Sequence, residues 1–291
     1  MISQGLILGS KGMLGSDIVK LFSKSGIRVL TPSHVELDLT QHIKVYEFFV
    51  KYRPSWVINC VAKHDLLACE KYSDAAMKIN SEAVENLAII CSTFNVYLIH
   101  ISTDYVFDGL KGLPYIESDS AIPVNQYGHS KLSGEVLALN RNTQTCVVRV
   151  SALFGASISR DKRSHCFVDR MKSKLLSGHE LSVNDDQVVS PTSTLEVARQ
   201  LKELIQFKPV GTIHCAGNGF TSWYNLTLEI AKNIHIPTNK VKILKTSSVS
   251  GDGVLRPLNS SLENKRLKEL NLNLMRDWDF SLNNYLNEFN Q

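Results

Sequence analysis

Apolar and polar positions fall in alternating blocks along the chain. Short apolar runs are each followed by a stretch whose apolar residues recur every three to four positions. Residues 5–9 ("GLILG") read as a strand. Residues 13–25 read as a helix, with Leu14, Ile18, Leu21 and Phe22 on one stripe and Gly26 just past its end. The same logic predicts a strand over 27–30, a helix over 43–52 closed off by Pro54, and a strand over 56–60. Residues 72–95 are expected to be mostly one long helix with Ala76, Ile79, Ala83, Leu87 and Ile90 inward. A strand over 97–101, a helix over 127–139 and a strand over 145–150 follow. Strands this uniformly apolar, alternating with helices, imply a parallel sheet covered on both faces.

Beyond residue 155 the periodicity loosens. Helices are predicted over 167–177, 194–207, 223–234, 262–270 and 281–289, and strands over 211–216 and 240–246. No repeat, low-complexity tract or clean linker interrupts the chain. The expected architecture is α/β: a Rossmann-like doubly wound parallel sheet with a smaller C-terminal substrate-binding lobe. Residues 1–155 would form the dinucleotide-binding domain, its sheet joined by later strands near 181–185 and 211–216. Residues 156–291 would supply most of the substrate lobe through interleaved segments.

Composition narrows the class without choosing a function. A chain of 291 residues with 43% hydrophobic and 21% charged residues matches a soluble globule. The net charge of +4 is mild and its basic residues are scattered, so no nucleic-acid partner is expected. Six cysteines, at 60, 69, 91, 146, 166 and 215, form no C-x-x-C pair. They read as reduced thiols of a cytoplasmic protein, and no metal-ligand spacing stands out. The N-terminus lacks the charged head and long apolar run of a signal peptide, and no run approaches the ~18 apolar residues of a membrane span, so no membrane partner is expected.

Two motifs carry chemistry. Gly9-Ser10-Lys11-Gly12-Met13-Leu14-Gly15 is G-x-x-G-x-x-G between the first strand and the first helix. Glycines there let the backbone turn tightly and approach a pyrophosphate, whose charge sits on the helix N-terminus. NAD-selective sites usually place an acid about 20 residues further on, for the ribose 2′-hydroxyl. The run Leu30-Thr31-Pro32-Ser33-His34 has none, and Lys11, Ser33 and His34 are suited to a 2′-phosphate, which favours NADPH with NADH still open. Asp38 serves either the adenine side or the start of the helix near Gln41.

The second motif is Tyr127-x-x-x-Lys131, two residues on one face of a helix. A cation near the phenol lowers its pKa by roughly 1–3 units and makes it a better proton carrier at neutral pH. Lys131 can also grip the nicotinamide ribose. The strand run "VYLIHI" ends abruptly in Ser102-Thr103-Asp104. Ligands of doubly wound sheets lie beyond the carboxyl ends of strands, so one of these hydroxyls, Thr103 by preference, would hydrogen-bond the carbonyl that Tyr127 protonates. Two further groups have open readings. Gln187, beside Asp185 and Asp186, either touches substrate or is solvated, and Arg256 either reaches a diphosphate or forms a surface ion pair.

Together these residues resemble the dTDP-4-dehydrorhamnose reductase family of the extended short-chain dehydrogenase/reductase superfamily. The likeness runs nearly the whole chain. It rests on "GSKGMLG" (9–15), "VINCVA" (57–62), "INSEAVENLA" (79–88), "HISTDYVFDGLKGLPY" (100–115), "PVNQYGHSKLSGE" (123–135), "DDQVVSPT" (185–192), "TSWY" (221–224) and "RPLNSSL" (256–262). The resemblance implies reduction of a 4-keto group on a nucleotide-linked 6-deoxyhexose, with hydride arriving at C4 and Tyr127 supplying the proton, in deoxysugar or surface-polysaccharide biosynthesis. It implies Thr103, Tyr127 and Lys131 as catalytic residues. Gly9, Lys11, Gly12, Met13, Leu14, Asp38, Leu39, Val61, Ala62 and Lys63 would contact the cofactor. His64, Ser102, Asp104, Ala152, Gln187 and Arg256 would join Thr103 on the substrate side.

The chain departs from the family pattern in two places. Val61-Ala62-Lys63-His64-Asp65-Leu66-Leu67 stands where the family usually reads AAYTxVD, and Arg149 is followed by Val150-Ser151-Ala152 rather than Thr-Ser-Trp. A small residue at 152 removes a wall of the sugar pocket, which leaves open a UDP-linked N-acetylated 4-keto sugar. It also leaves open a non-catalytic subunit resembling the regulatory subunit of methionine adenosyltransferase. Asp104-Tyr105, in place of the Asp-Glu of related dehydratases, argues against elimination. A homodimer is left open.

Overall fold

The structure is a computed structural model, and it describes residues 4–155, 166–178, 180–237, 239, 241–244 and 251–288. In the first half, strands β1 (Gly5–Leu8), β2 (Val29–Leu30), β3 (Trp56–Asn59), β4 (Tyr97–Thr103) and β5 (Thr145–Val150) alternate with helices. These helices are α1 (Met13–Lys24), α2 (His42–Tyr52), α3 (Leu66–Lys71), α4 (Ser73–Met77), α5 (Ala83–Thr93) and α6 (Gln126–Arg141). The second half contributes β6 (Leu153–Phe154), α7 (Phe167–Leu176), β7 (Leu181–Asn184), β8 (Val188–Val189), β9 (Thr192–Ser193) and α8 (Thr194–Phe207). It continues with β10 (Gly211–His214), β11 (Thr221–Ser222), α9 (Trp223–Asn233), β12 (Val241–Leu244), α10 (Lys265–Glu269) and α11 (Trp278–Glu288).

Six strands form one sheet in the order β10-β5-β4-β3-β1-β2, and every pair in it is parallel. Parallel pairing needs a crossover between strands, and the amphipathic helices supply it on both faces. One face packs Ile7, Trp56, Ile58, Ile99 and Val148 against Ile18 and Phe22 of α1 and Val197, Leu201 and Leu204 of α8. The opposite face packs Leu6, Leu8, Val57 and Leu98 against Phe49 of α2, Val84 and Leu87 of α5, and Ala138 of α6. A separate apolar cluster joins α7, β7, α9 and α11 through Val168, Leu175, Leu181, Leu226, Ile230, Leu282 and Leu286.

The chain leaves β1 toward β2 on one side and returns to β3 on the other. This reversal opens a crevice at the carboxyl ends of β1 and β3, where doubly wound sheets take their ligands. The strand expected near 211–216 joins the sheet edge as β10. The strand expected near 181–185 does not join. It pairs in parallel with β12, and its Leu181 and Val183 pack into the separate apolar cluster rather than against the central sheet. The long helix expected over 72–95 is broken in register. A π-helical turn, Lys78–Glu82, sits between α4 and α5.

Candidate active site

A cleft of about 1110 Å³ runs along the carboxyl edge of the sheet and brings both sequence motifs together. At one end lies the turn after β1. Gly9 adopts φ +74°, and the Gly12 N–H donates to the Gly9 carbonyl at 3.0 Å. Gly15 lets α1 lie directly on this turn, since a Cβ there would stand 2.2 Å from the Gly9 carbonyl oxygen. No side chain caps the start of α1 and no acid occupies its first turn, so its N–H groups open toward the cleft.

The wall after β2 differs from expectation. Ser33 is not free: its N–H and its hydroxyl both donate to the Glu36 carboxylate at 2.7 Å. These bonds hold the Glu36 carboxyl below its usual range, aided by the nearby Lys11 charge. Glu36 lies two residues beyond the run Leu30–His34, so the usual spacing of a ribose-binding acid does not point to it. Asp38 lines the cleft but accepts from the Thr40 N–H and hydroxyl at 2.9 and 2.8 Å, so it serves the turn that leads into α2.

At the other end, β4 continues through Ser102 and Thr103, two residues further than its apolar run. Both residues and Asp104 line the cleft with Tyr127 and Lys131. Thr103 donates to Asp104 Oδ1 at 3.1 Å and accepts from the Tyr105 N–H at 3.2 Å, and it acts on the Tyr127 phenol in the sense opposite to burial. Ser102 Oγ is buried without a partner. Asp104 Oδ2 accepts from Ser151 at 2.8 Å and Ser260 at 2.6 Å. Burial outweighs those bonds and pushes its carboxyl up to about 6.

Tyr127 rides on α6, whose start is capped by Asn125 accepting from the Gly128 N–H at 2.8 Å. Gly128 has no room for a side chain, because a Cβ would meet the Tyr105 carbonyl oxygen at 2.1 Å. Burial drives the Tyr127 phenol above its ordinary value, against the depression expected from a neighbouring ammonium. Lys131 is 1% exposed. Its Nζ donates to the Ile101 carbonyl at 2.7 Å and lies 3.2 Å from His100 Nε2. Burial lowers its pKa to about 8, opposed by the charge of Glu135.

Gly9, Lys11, Gly12, Met13, Leu14, Leu39, Val61, Ala62, His64 and Ala152 all line the same cleft. Ala152 adopts φ +42°, a left-handed conformation that non-glycine residues seldom take. Lys63 is not among the residues lining the cleft, and its backbone N–H and carbonyl are both bound to the Asn80 amide. Gln187 and Arg256 also lie outside the lining. Gln187 sits beside Asn184, and Arg256 forms a two-pronged ion pair with Asp252 at 2.9 and 2.7 Å while touching Tyr105. Sequence reasoning missed Lys78, Ile79 and Ala83, which enter the lining through the π-turn, and also Asn59 and His100 behind Lys131. A histidine inside the otherwise apolar run of β4 was the available signal. Among the described residues, no helix is long and apolar enough to cross a membrane.

The family model described as the RmlD substrate binding domain matches residues 4–291. A dTDP-4-keto-6-deoxy-D-glucose reductase of Streptomyces niveus is 30% identical over 97% of this chain and 96% of its own length. The crystal structure of a dTDP-4-dehydrorhamnose reductase of Bacillus anthracis in complex with NADP superimposes with a TM-score of 0.92. It is 27% identical and covers 99% of this chain and 100% of its own. The bovine methionine adenosyltransferase 2 subunit beta is 31% identical over 92% of this chain and 82% of its own length.

Proposed function

Because the chain belongs to the RmlD substrate binding domain family, that of the dTDP-4-dehydrorhamnose reductases, we propose that it reduces a dTDP-linked 4-keto-6-deoxy sugar with NADPH. The product would serve deoxysugar or polysaccharide biosynthesis. The observation that carries this reading is the meeting of Thr103, Tyr127 and Lys131 in one cleft with the glycine turn. The residues present fit a dinucleotide. The start of α1 carries no side-chain cap and no acid in its first turn, and Gly15 lets the helix lie directly on the Gly9 turn, which suits a pyrophosphate at the helix N-terminus.

NADPH, when bound, supplies the hydride that the keto carbon accepts. The protein's share is proton handling and orientation. A phenol raised by burial keeps its proton until an alkoxide, a stronger base, develops beside it. Tyr127 therefore acts as the donor to the sugar oxygen. Thr103 favours release of that proton, because its hydroxyl acts on the phenol against the effect of burial. Below about pH 8, where it holds its extra proton, Lys131 brings positive charge to the same end of the cleft and favours negative charge forming on the substrate oxygen. The Asp104 carboxylate is a fitting acceptor for a sugar hydroxyl.

The test is NADPH consumption with a panel of 4-keto nucleotide sugars. Tyr127→Phe is expected to lower kcat by roughly 10²–10⁴-fold with NADPH affinity retained. No turnover by the wild-type protein on any sugar of the panel would overturn the reading. A second reading, a non-catalytic subunit, is favoured by the 31% identity to the bovine subunit and by the changed residues around His64 and Ala152. It expects NADPH binding without turnover, together with co-purification of a partner enzyme.

A further inference from the structure

His100 stands in the middle of β4 with none of its surface exposed, directly across from Asn59 of β3. Asn59 Oδ1 accepts the Val61 N–H at 3.0 Å, so its Nδ2 is the atom that faces His100 Nδ1, at 3.3 Å. An amide N–H donates; Nδ1 must therefore be the acceptor, and the single ring proton sits on Nε2. Nε2 lies 3.2 Å from Lys131 Nζ. An N–H aimed at an amine needs the amine's lone pair, which an ammonium lacks. In the arrangement that leaves no donor facing a donor, Lys131 is an uncharged amine. It spends one N–H on the Ile101 carbonyl and keeps the other for the cleft. Protonating Lys131 moves the ring proton to Nδ1. Asn59 must then turn its amide, and the Val61 N–H loses its acceptor.

We propose that His100, aligned by Asn59, is a positioning residue for Lys131: it clamps the amine one helical turn from Tyr127 and governs whether that amine carries its extra proton. This rests on the reductase reading for its effect on turnover, but not for the tautomer. The other titratable groups acting on Lys131 are Cys60 just past β3 and Glu135 one turn along α6. Burial keeps the His100 ring neutral, and among the described residues the charge acting on it is that of Lys131.

Two measurements test it. Nitrogen-15 NMR of histidine-labelled, cofactor-free protein, assigned with His100→Gln, is expected to show His100 as the Nε2–H tautomer at pH 9 and moving toward Nδ1–H below about pH 8 as Lys131 takes its proton, with the ring singly protonated throughout. An Nδ1–H tautomer at pH 9, a tautomer that does not change between pH 9 and 6.5, or a doubly protonated ring in that range overturns the proposal whether or not the protein is a reductase. In turnover, kcat of the wild-type protein is expected to fall on a basic limb near pH 8, where Lys131 loses its proton. In His100→Gln a side-chain carbonyl can accept from the ammonium, and the limb should move to higher pH. His100→Leu should lower kcat by roughly tenfold to a hundredfold, with little change in KM for NADPH. A limb unmoved in His100→Gln, or leucine and glutamine variants with equal kcat, would reduce His100 to packing. Should His100→Leu not fold, the glutamine variant and the NMR result decide.

Discussion

At the scale of single residues, the cleft keeps charges in places that cost stability. Lys131 is lowered to about 8 by burial, so the folded protein disfavours its ammonium form. The sign follows directly. Its stabilising contribution is present above the unfolded value near 10.5 and is lost as pH falls through about 8. Below that the full penalty applies, on the order of 3 kcal/mol. Lys131→Met should therefore raise the thermal midpoint at pH 7 while abolishing turnover, and the gain should shrink toward pH 10. Asp104 runs the other way in pH. Its carboxyl is raised to about 6, so its favourable contribution exists below the unfolded value near 3.8 and disappears as pH rises through 6. Asp104→Asn should stabilise the protein more at pH 8 than at pH 4.5, measured by denaturant unfolding at each pH. Glu36 bears on cofactor choice. Its carboxylate occupies both donors of Ser33 beside Lys11, where a 2′-phosphate would need them. Glu36→Gln should tighten NADPH several-fold and leave NADH nearly unchanged, read by fluorescence titration of each.

At the scale of elements, the site depends on where helices touch strand ends. Gly15→Ala would drive a methyl into the Gly9 carbonyl at 2.2 Å, with backbone rather than a flexible side chain on the other side. We expect α1 to shift, NADPH affinity to fall at least tenfold, and the thermal midpoint to drop by several degrees. The π-turn sets a second contact. It turns Asn80 inward to bind the Lys63 N–H and carbonyl and the Ser130 hydroxyl, and Gly134 of α6 lies against the Asn80 carbonyl. Most of these elements were legible in the chain, because a strand between two faces is apolar throughout and a surface helix repeats every three to four residues. The π-turn was not, since one extra residue per turn leaves a buried, apolar helix looking regular. The two-residue strands β6, β8, β9 and β11 carry too little periodicity to register. The partners of Lys131 were illegible for a different reason. Its i,i+4 spacing predicts a neighbour on its own helix, whereas His100 and the Ile101 carbonyl reach it from the sheet.

At the scale of the molecule, the C-terminal segments hold the reacting end of the cleft as well as covering it. Asp104, at the end of β4, is bound by Ser151 from the link between β5 and β6 and by Ser260 from a loop 156 residues away in sequence. Next to it, Tyr105 touches Arg256, which Asp252 fixes, and Asn125 before α6 donates to the Leu255 carbonyl at 2.9 Å. The strip 252–260 thus reaches the end of β4 and the start of α6 together. A glycine cradle on one part of the sheet and this strip on another make the two ends of the cleft separable. Ser260→Ala leaves one buried carboxylate oxygen short of a donor and should cost about 1–3 kcal/mol of stability. It should also weaken sugar-nucleotide binding while NADPH affinity stays at the wild-type value. Arg256→Ala, which loosens the strip without touching Asp104, should raise KM for the sugar nucleotide and spare the unfolding midpoint by comparison. Isothermal titration with NADPH alone, and turnover at varied sugar concentration, separate the two effects. If either variant lost NADPH affinity as strongly as sugar affinity, the strip would be a support of the whole cleft and not of its substrate end.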